Sequence, residues 1–244
     1  MRTGHANVPA LAGAVRWADP PAVTSPWLRP ALVSGVPDTW LCRVPIARLD
    51  QVDLPGVDTL SAAERRFVEA AKPRRAREVA AGRAALRAAL RAAGWGGAGD
   101  LLPGEQGRPR LPDGFTGSIT HKDGVALALA APLRAGRTVG LDSEVVGRDR
   151  SDIARRILRP AEQDRWLATG GAWPQLLEVF SVKEAIYKAL HPHVPRYIGF
   201  EEAEVHEDGT VQMHLVHGEG PFTLEATAWW ESQRLISVVQ ARPA

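Results

Sequence analysis

Apolar residues follow two rhythms along this chain, and the rhythms divide it into helices and strands. Helical spacing puts Val79, Leu86 and Leu90 on one stripe and predicts a helix over Arg74–Ala93, a stretch rich in Ala, Arg, Leu and Glu. Gly82 sits inside it and permits a close neighbour, while Gly94 and the glycines at 96, 97 and 99 end it in a loop. A second helix is predicted over Phe180–Leu190, approached through Trp173-Pro174 and stopped before Pro192. Shorter helical pieces are expected at Ile153–Leu158 and Pro160–Trp166, the latter with Glu162 in its first turn. Ser61 and Glu64 have the spacing of a capping box at another helix start.

Strands are expected where apolar residues alternate or run together. They are Thr39–Ile46, Phe115–His121, Val125–Ala130, Val139–Glu144, Ala203–His206, Val211–Val216, Phe222–Trp230 and Leu235–Gln240. Val125–Ala130 is nearly all apolar and is predicted to be central and buried. Lys122-Asp123-Gly124 and Asp208-Gly209 read as hairpin turns, and Glu105–Pro109 as a turn carrying Arg108 outward. Residues 1–38 show no clear period; they are expected to form an N-terminal extension that packs Trp17 and Trp27 on the body. After it, residues 39–132 and 133–244 each offer a long helix followed by strands.

Composition narrows the class. A chain of 244 residues with 45% hydrophobic and 24% charged residues suits a globular protein with a substantial core. Its net charge of +2 gives no global field for nucleic acid. The charge is uneven, however: Glu64–Arg91 holds nine basic residues against three acids, a local place for a polyanion. Cys42 is the one cysteine, which excludes an intramolecular disulfide and a Cys-based zinc site and fits a reducing, cytoplasmic setting. Met1–Pro20 lacks the continuous apolar core of a signal peptide, and the longest apolar run, Val125–Leu133, is too short to span a bilayer.

The candidate chemistry lies between Val139 and Leu190. On a strand, Asp142 and Glu144 point to one side and Ser143 to the other. On a helix, Glu184 and Lys188 share a face. Alone, the first is an ordinary strand end and the second a surface ion pair worth about 0.2–0.5 kcal/mol. If strand and helix meet, three carboxylates converge beside a lysine, a hard oxygen donor set suited to Mg²⁺. Upstream, Arg108, Thr120 and His121 combine guanidinium, hydroxyl and imidazole groups that can grip a phosphate.

These residues carry a family resemblance. Gly140-Leu141-Asp142-Ser143-Glu144, followed about forty residues later by Phe180-Ser181-Val182-Lys183-Glu184-Ala185-Ile186-Tyr187-Lys188, resembles the paired signature of the 4′-phosphopantetheinyl transferases. Gly107-Arg108-Pro109 and Ser118-Ile119-Thr120-His121 resemble the two upstream motifs. Arg77–Leu90 with Gly82-Arg83, and Arg196–Phe200, are similar to the siderophore-synthase (enterobactin/surfactin-type) branch. Ser143 stands where the family usually has an apolar residue, and Phe180 where many members have Trp.

The resemblance implies an α+β fold of two similar α/β halves related by a pseudo-twofold axis, with the ligand cleft between them. It implies transfer of phosphopantetheine from coenzyme A to a serine of an apo acyl or peptidyl carrier protein, with release of adenosine 3′,5′-bisphosphate. Carriers of nonribosomal peptide, polyketide or siderophore synthesis are implied, and a monomer with no nucleic-acid or membrane partner is expected. Asp142, Glu144 and Glu184 would hold Mg²⁺; Glu184 or Glu144, directly or through water, would take the serine proton. Lys188 would serve the leaving phosphate, and Lys183 would also contact the diphosphate. Arg83, Arg108, Thr120 and His121, with Arg75, would hold the 3′-phosphate and adenosine side. Two other classes stand beside this one. A Mg²⁺-dependent phosphodiesterase or nuclease would call for a second acid cluster, which the sequence lacks. A basic nucleic-acid-binding module would call for aromatics interleaved in Arg74–Arg91.

Overall fold

The apolar run after Gly124 becomes the middle of a sheet in this computed structural model, which describes residues 15–17, 29–48, 56–104, 107–206 and 210–244. The chain first forms β1 (Val15–Trp17), β2 (Ala31–Val33), β3 (Trp40–Pro45), α1 (Ala62–Glu69), α2 (Pro73–Ala92), β4 (Phe115–Lys122) and β5 (Val125–Pro132). The strands make one antiparallel sheet in the order β1-β2-β3-β5-β4. Thus β2, inside the segment expected as an extension, is hydrogen bonded to β3. Then come β6 (Thr138–Val145), α3 (Ala154–Ile157), α4 (Pro160–Ala168), α5 (Trp173–Leu190), β7 (Ala203–Val205), β8 (Val211–Met213), β9 (Phe222–Glu231) and β10 (Arg234–Pro243). A second sheet has the order β6-β10-β9, and β7 and β8 form a ribbon.

Strand alternation sorts the core into layers. Ala126, Ala128 and Ala130 of β5 meet Ala81, Ala85, Leu86 and Ala89 of α2. Their neighbours Leu127, Leu129 and Ala131 face Val139 and Leu141 of β6 and Ile236 and Val238 of β10. On β10, Leu235, Val239 and Ala241 turn the other way, onto Ala185, Ile186 and Ala189 of α5. The order is helix, sheet, sheet, helix. The alanines facing α2 let a helix rich in alanine lie close to the sheet.

The two sheets also meet at their edges, through side chains. Thr116 and Ser118 of β4 project toward β6, and their hydroxyl oxygens accept from the N–H groups of Val139 and Leu141, each at 3.1 Å. These hydroxyls satisfy backbone donors that β6 turns away from β10. Glycine sets the spacing on the outer side of β6: a Cβ on Gly140 would lie 1.9 Å from the carbonyl oxygen of Ala185 and 2.6 Å from the nitrogen of Ala189. Helix α5 therefore rests directly on the β6 backbone.

Several sequence expectations change. The helix expected from Phe180 starts at Trp173, because Pro174 fits its first turn rather than preceding it. The strand expected over Val211–Val216 stops at Met213. The Asp208-Gly209 turn, Trp27, the side chain of Trp17, and Glu105 and Gln106 lie outside the described residues. Among the described residues, no helix is long and apolar enough to cross a membrane. The capping box does more than start α1: Glu64 also accepts from Arg87 at 2.6 Å and from the N–H of Leu101 at 2.8 Å, all buried.

Lys183 is placed differently from its expected role. Its ammonium is buried against Glu162 at 2.6 Å and donates to the carbonyls of Ile157 and Phe200 at 2.8 and 3.0 Å. Glu162 in turn accepts from the N–H groups of Arg159 and Val205. The pair is an internal strut joining α3, α4, α5 and β7, and none of its partners is a candidate phosphate-binding group.

Two expectations follow for stability in urea unfolding. Gly140→Ala should cost about 1–3 kcal/mol or more, because helix and strand must separate to admit a methyl group. Lys183→Met should cost about 3–5 kcal/mol by leaving Glu162 buried without its cation.

Candidate active site

Helix α2, strand β4 and the C-terminal turns of α5 enclose a cavity of about 290 Å³, closed on another side by Gly107–Pro109. On α2 the lining residues Arg75, Glu78, Val79, Gly82 and Arg83 recur at helical spacing, so one face of the helix forms a wall. Gly82 brings that wall close to β4, since its Cβ would sit 3.1 Å from the Ile119 side chain. On α5 the lining residues Tyr187, Lys188 and His191 continue the face that begins with Glu184.

The basic wall is short of carboxylates. Arg83 is only 6% exposed, and its Nε has no hydrogen-bond partner. Burial pushes its pKa down to about 10; the charge of Glu64 opposes the shift and Arg75 adds to it. Arg108 meets the Nδ1 of His191, and its pKa is lowered by burial, with Tyr187 opposing. His121 lies 3.4 Å from Arg75 and 3.7 Å from Glu78. Burial lowers its pKa, Glu78 raises it and Arg75 lowers it further, so the neutral ring is favoured.

The acidic corner adjoins this wall where α5 crosses β6. Asp142 accepts from Lys188 Nζ at 2.8 Å, from Ser181 Oγ at 2.9 Å and more loosely from Thr120 Oγ1 at 3.4 Å. Glu144 is paired with Lys122 at 2.5 Å. Ser143 turns away, its hydroxyl accepting from Arg234. Glu184 forms no ion pair among the described residues. Burial raises its pKa first, the charge of Asp142 raises it further, Lys188 opposes and Glu144 adds. Glu144 is raised by burial, lowered by its bond to Lys122 and raised by Asp142. Glu184 thus feels the charge of both other acids, and Glu144 that of Asp142. Even so, no group of three His, Cys, Asp or Glu residues among those described is arranged to hold a metal ion as it stands. Two lysine ammoniums already sit on two of the acids.

The structure therefore gathers Arg75, Arg83, Arg108, His121 and Lys188 around one cavity. It sets Asp142, Glu144 and Glu184 within electrostatic reach of one another and of Lys188. It does not bring Lys183 there, and it turns the hydroxyl of Thr120 toward Asp142. Sequence reading missed Tyr187, His191, Ser181 and Lys122. Extending the Glu184/Lys188 face by three and seven residues would have found Tyr187 and His191. Ser181 needed the contact between α5 and β6, and Lys122 the fold of the β4–β5 turn.

Comparison with known proteins gives the same picture along the sequence. Residues 63–131 match the 4′-phosphopantetheinyl transferase N-terminal domain, and residues 138–239 match the 4′-phosphopantetheinyl transferase superfamily. The chain is 36% identical over 158 residues to the 4′-phosphopantetheinyl transferase Svp of Streptomyces mobaraensis, covering 62% of this chain and 63% of that one. It is 36% identical over 108 residues to PptT of Mycobacterium tuberculosis, covering 43% and 47%. Over 199 residues it is 29% identical to enterobactin synthase component D of Salmonella typhi, covering 79% and 80%. The chain thus spans between about half and two thirds of the length of the first two relatives. The two matched segments carry the basic wall on α2 and β4 and the acidic corner on β6 and α5, and the chain belongs to the 4′-phosphopantetheinyl transferase superfamily.

Proposed function

We propose that this chain transfers the 4′-phosphopantetheine arm of coenzyme A to a serine hydroxyl of an apo acyl or peptidyl carrier protein, releasing adenosine 3′,5′-bisphosphate. The observation that carries the reading is the junction at Lys188, which lines the cavity walled by arginine and histidine and whose ammonium donates to Asp142 of the acidic corner at 2.8 Å. A phosphate suits the basic wall, and a diphosphate would suit the corner where Lys188 and a divalent cation would set positive charge against its carboxylates. The cavity's size, about 290 Å³, is at the lower end for a small-molecule site. Family membership does not favour the hydrolytic or nucleic-acid-binding alternatives. The similarity to a component of enterobactin synthase supports a carrier of siderophore assembly, and carriers of nonribosomal peptide or polyketide synthesis belong to the same proposal.

Arg83 and Arg108 bind the 3′-phosphate, with His121 and Arg75 beside them. A guanidinium buried without an anion is costly, and a phosphate in the cavity supplies the missing acceptor. Thr120 acts on Asp142, not on the ligand. The donor chemistry of Asp142, Glu144 and Glu184 fits Mg²⁺, which when bound would offset the charge of the diphosphate. Glu184 takes the proton of the serine hydroxyl as its oxygen bonds to the β-phosphorus. Its raised pKa suits a general base, and it has no ion-pair partner to displace. As the bond from that phosphorus to the leaving oxygen breaks, Lys188 holds the departing phosphate. Its ammonium lies at the junction of the two walls, anchored by Leu141 and Asp142.

The architecture supports two related halves with the cleft between them. The succession strand, long helix, hairpin occurs as β3, α2, β4–β5 and again as β6, α5, β9–β10, each time with the last strand in the centre. An axis relating the halves would exchange the β4–β6 junction with the β3–β9 junction, where Arg43 pairs with Glu231. The halves fall within residues 39–132 and 133–244, in a cytoplasmic monomer.

The reaction is tested with coenzyme A, Mg²⁺ and an apo carrier protein, read as a carrier mass gain of one phosphopantetheine arm. Asp142→Ala should lower the rate by about a hundredfold or more, by removing the acid that positions Lys188; full activity would remove that role. Arg108→Ala should weaken coenzyme A binding by about tenfold and leave 3′-dephospho-coenzyme A little changed. Equal losses for the two ligands would exclude a bond to the 3′-phosphate.

A further inference from the structure

One charged residue beside the acidic corner has no part in the proposed reaction. Lys122 closes β4 and opens the turn to β5, and its ammonium holds Glu144 at 2.5 Å. The turn is fixed from two directions. The carbonyls of Lys122 and Asp123 accept from Arg234 of β10 at 3.2 and 3.4 Å, and the carbonyl of Gly124 accepts from the N–H of Ile46 at 2.7 Å. Asp123 and Gly124 hold the turn with φ of 46° and 71°. Arg234 also donates to Ser143, the residue next to Glu144. The hairpin tip is therefore tied to the strand that presents Glu144, and Lys122 is delivered to that carboxylate.

The corner thus contains three carboxylates and two ammoniums: Lys188 on Asp142, Lys122 on Glu144, and Glu184 without an ion pair among the described residues. The two lysines are held differently. Lys188 has a second acceptor, the carbonyl of Leu141 at 3.0 Å, and its side chain is 26% exposed. Lys122 is 45% exposed and bonds to no second acceptor among the described residues, whereas the carboxylate it covers is only 15% exposed. An ammonium and a divalent cation compete for the same carboxylate lone pairs. Of the two ammoniums, Lys122 can leave for water with less rearrangement.

We propose that Lys122 is an internal competitor of the divalent cation for Glu144 and thereby sets the cation affinity of the acidic corner. The inference rests on the metal site proposed above. With Glu144 given up to a cation, Lys122 turns out to solvent; without one, it screens Glu144 from Asp142 and Glu184 and keeps the three acids from repelling the strand and helix apart. The residue belongs to this chain's own hairpin tip, and the reaction uses neither its charge nor its backbone.

Direct binding of Mn²⁺, followed by the electron paramagnetic resonance signal of the free ion, tests this with neither coenzyme A nor carrier present. Lys122→Met should tighten Mn²⁺ binding about fivefold, the strength of a partly exposed ion pair. Lys122→Arg should stay near the wild-type affinity. In a Glu144→Gln background, Lys122→Met should no longer change the affinity. Thermal unfolding followed by circular dichroism checks that each variant keeps the fold, and Lys122→Gln serves as a second neutral replacement. Unchanged or weaker Mn²⁺ binding in the neutral variants overturns the proposal, as does tightening that persists with Glu144→Gln or an absence of Mn²⁺ binding throughout. A protein that shows the expected Mn²⁺ pattern yet leaves an apo carrier unmodified would overturn the transfer reaction alone.

Discussion

A missing side chain sets the geometry of the site. At Gly140 the backbone of β6 lies so close to α5 that a Cβ would overlap the carbonyl of Ala185. The close approach brings Ser181 and Lys188, on the same helix face, to the carboxylate of Asp142 two residues further along the strand. The other side of β6 is fixed by hydroxyls from β4. With a backbone contact on one side and hydrogen bonds on the other, β6 has little freedom to slide, and the acids it carries keep their positions relative to α5 and β4.

The cations of this chain divide by what they touch. Arg87 is buried on Glu64 and also donates to the carbonyl of Gly99, and Lys183 is buried on Glu162 with two backbone carbonyls filling its remaining bonds. Arg196 joins Glu202 and Glu219, and its guanidinium holds both carboxyls well below their usual range. These are internal struts whose charge is already compensated. Arg83 is also buried, and its Nε is unpartnered like that of Arg87, but it has no carboxylate in contact among the described residues, and Arg108 meets an imidazole instead of an acid. A buried cation without an anion is unfavourable in the protein by itself, and these two lack the carboxylate that compensates the struts. Basic content alone could not separate the two groups, because Arg83 and Arg87 are one helical turn apart.

Much of the fold was legible from local signals. The helix around Gly82, the capping box at Ser61, the Asp123-Gly124 turn and the buried strand after it all follow from propensity, spacing or left-handed turn residues, which act over a few positions. The start of α5 was misread because a proline in the first turn of a helix looks, in sequence, like a proline before one. Lys183 was misread for a related reason: it lies within the most distinctive stretch of the chain, next to Glu184, but one residue along a helix is a turn of about 100°. That rotation takes its ammonium into the core against Glu162.

The sequence by itself placed most of the helices and strands, marked one basic helix and one acid-rich pair of segments as candidates for the chemistry, and showed which family they resemble. Those features are written in short-range order, where residue type and spacing suffice. Only the tertiary structure decided which charges are compensated. Whether Lys122 reaches Glu144, whether Thr120 faces a ligand or Asp142, and whether an arginine is a strut or an open cation depend on side chains brought together from distant parts of the chain. Coulomb energy depends on separation and burial, and both are properties of the folded chain.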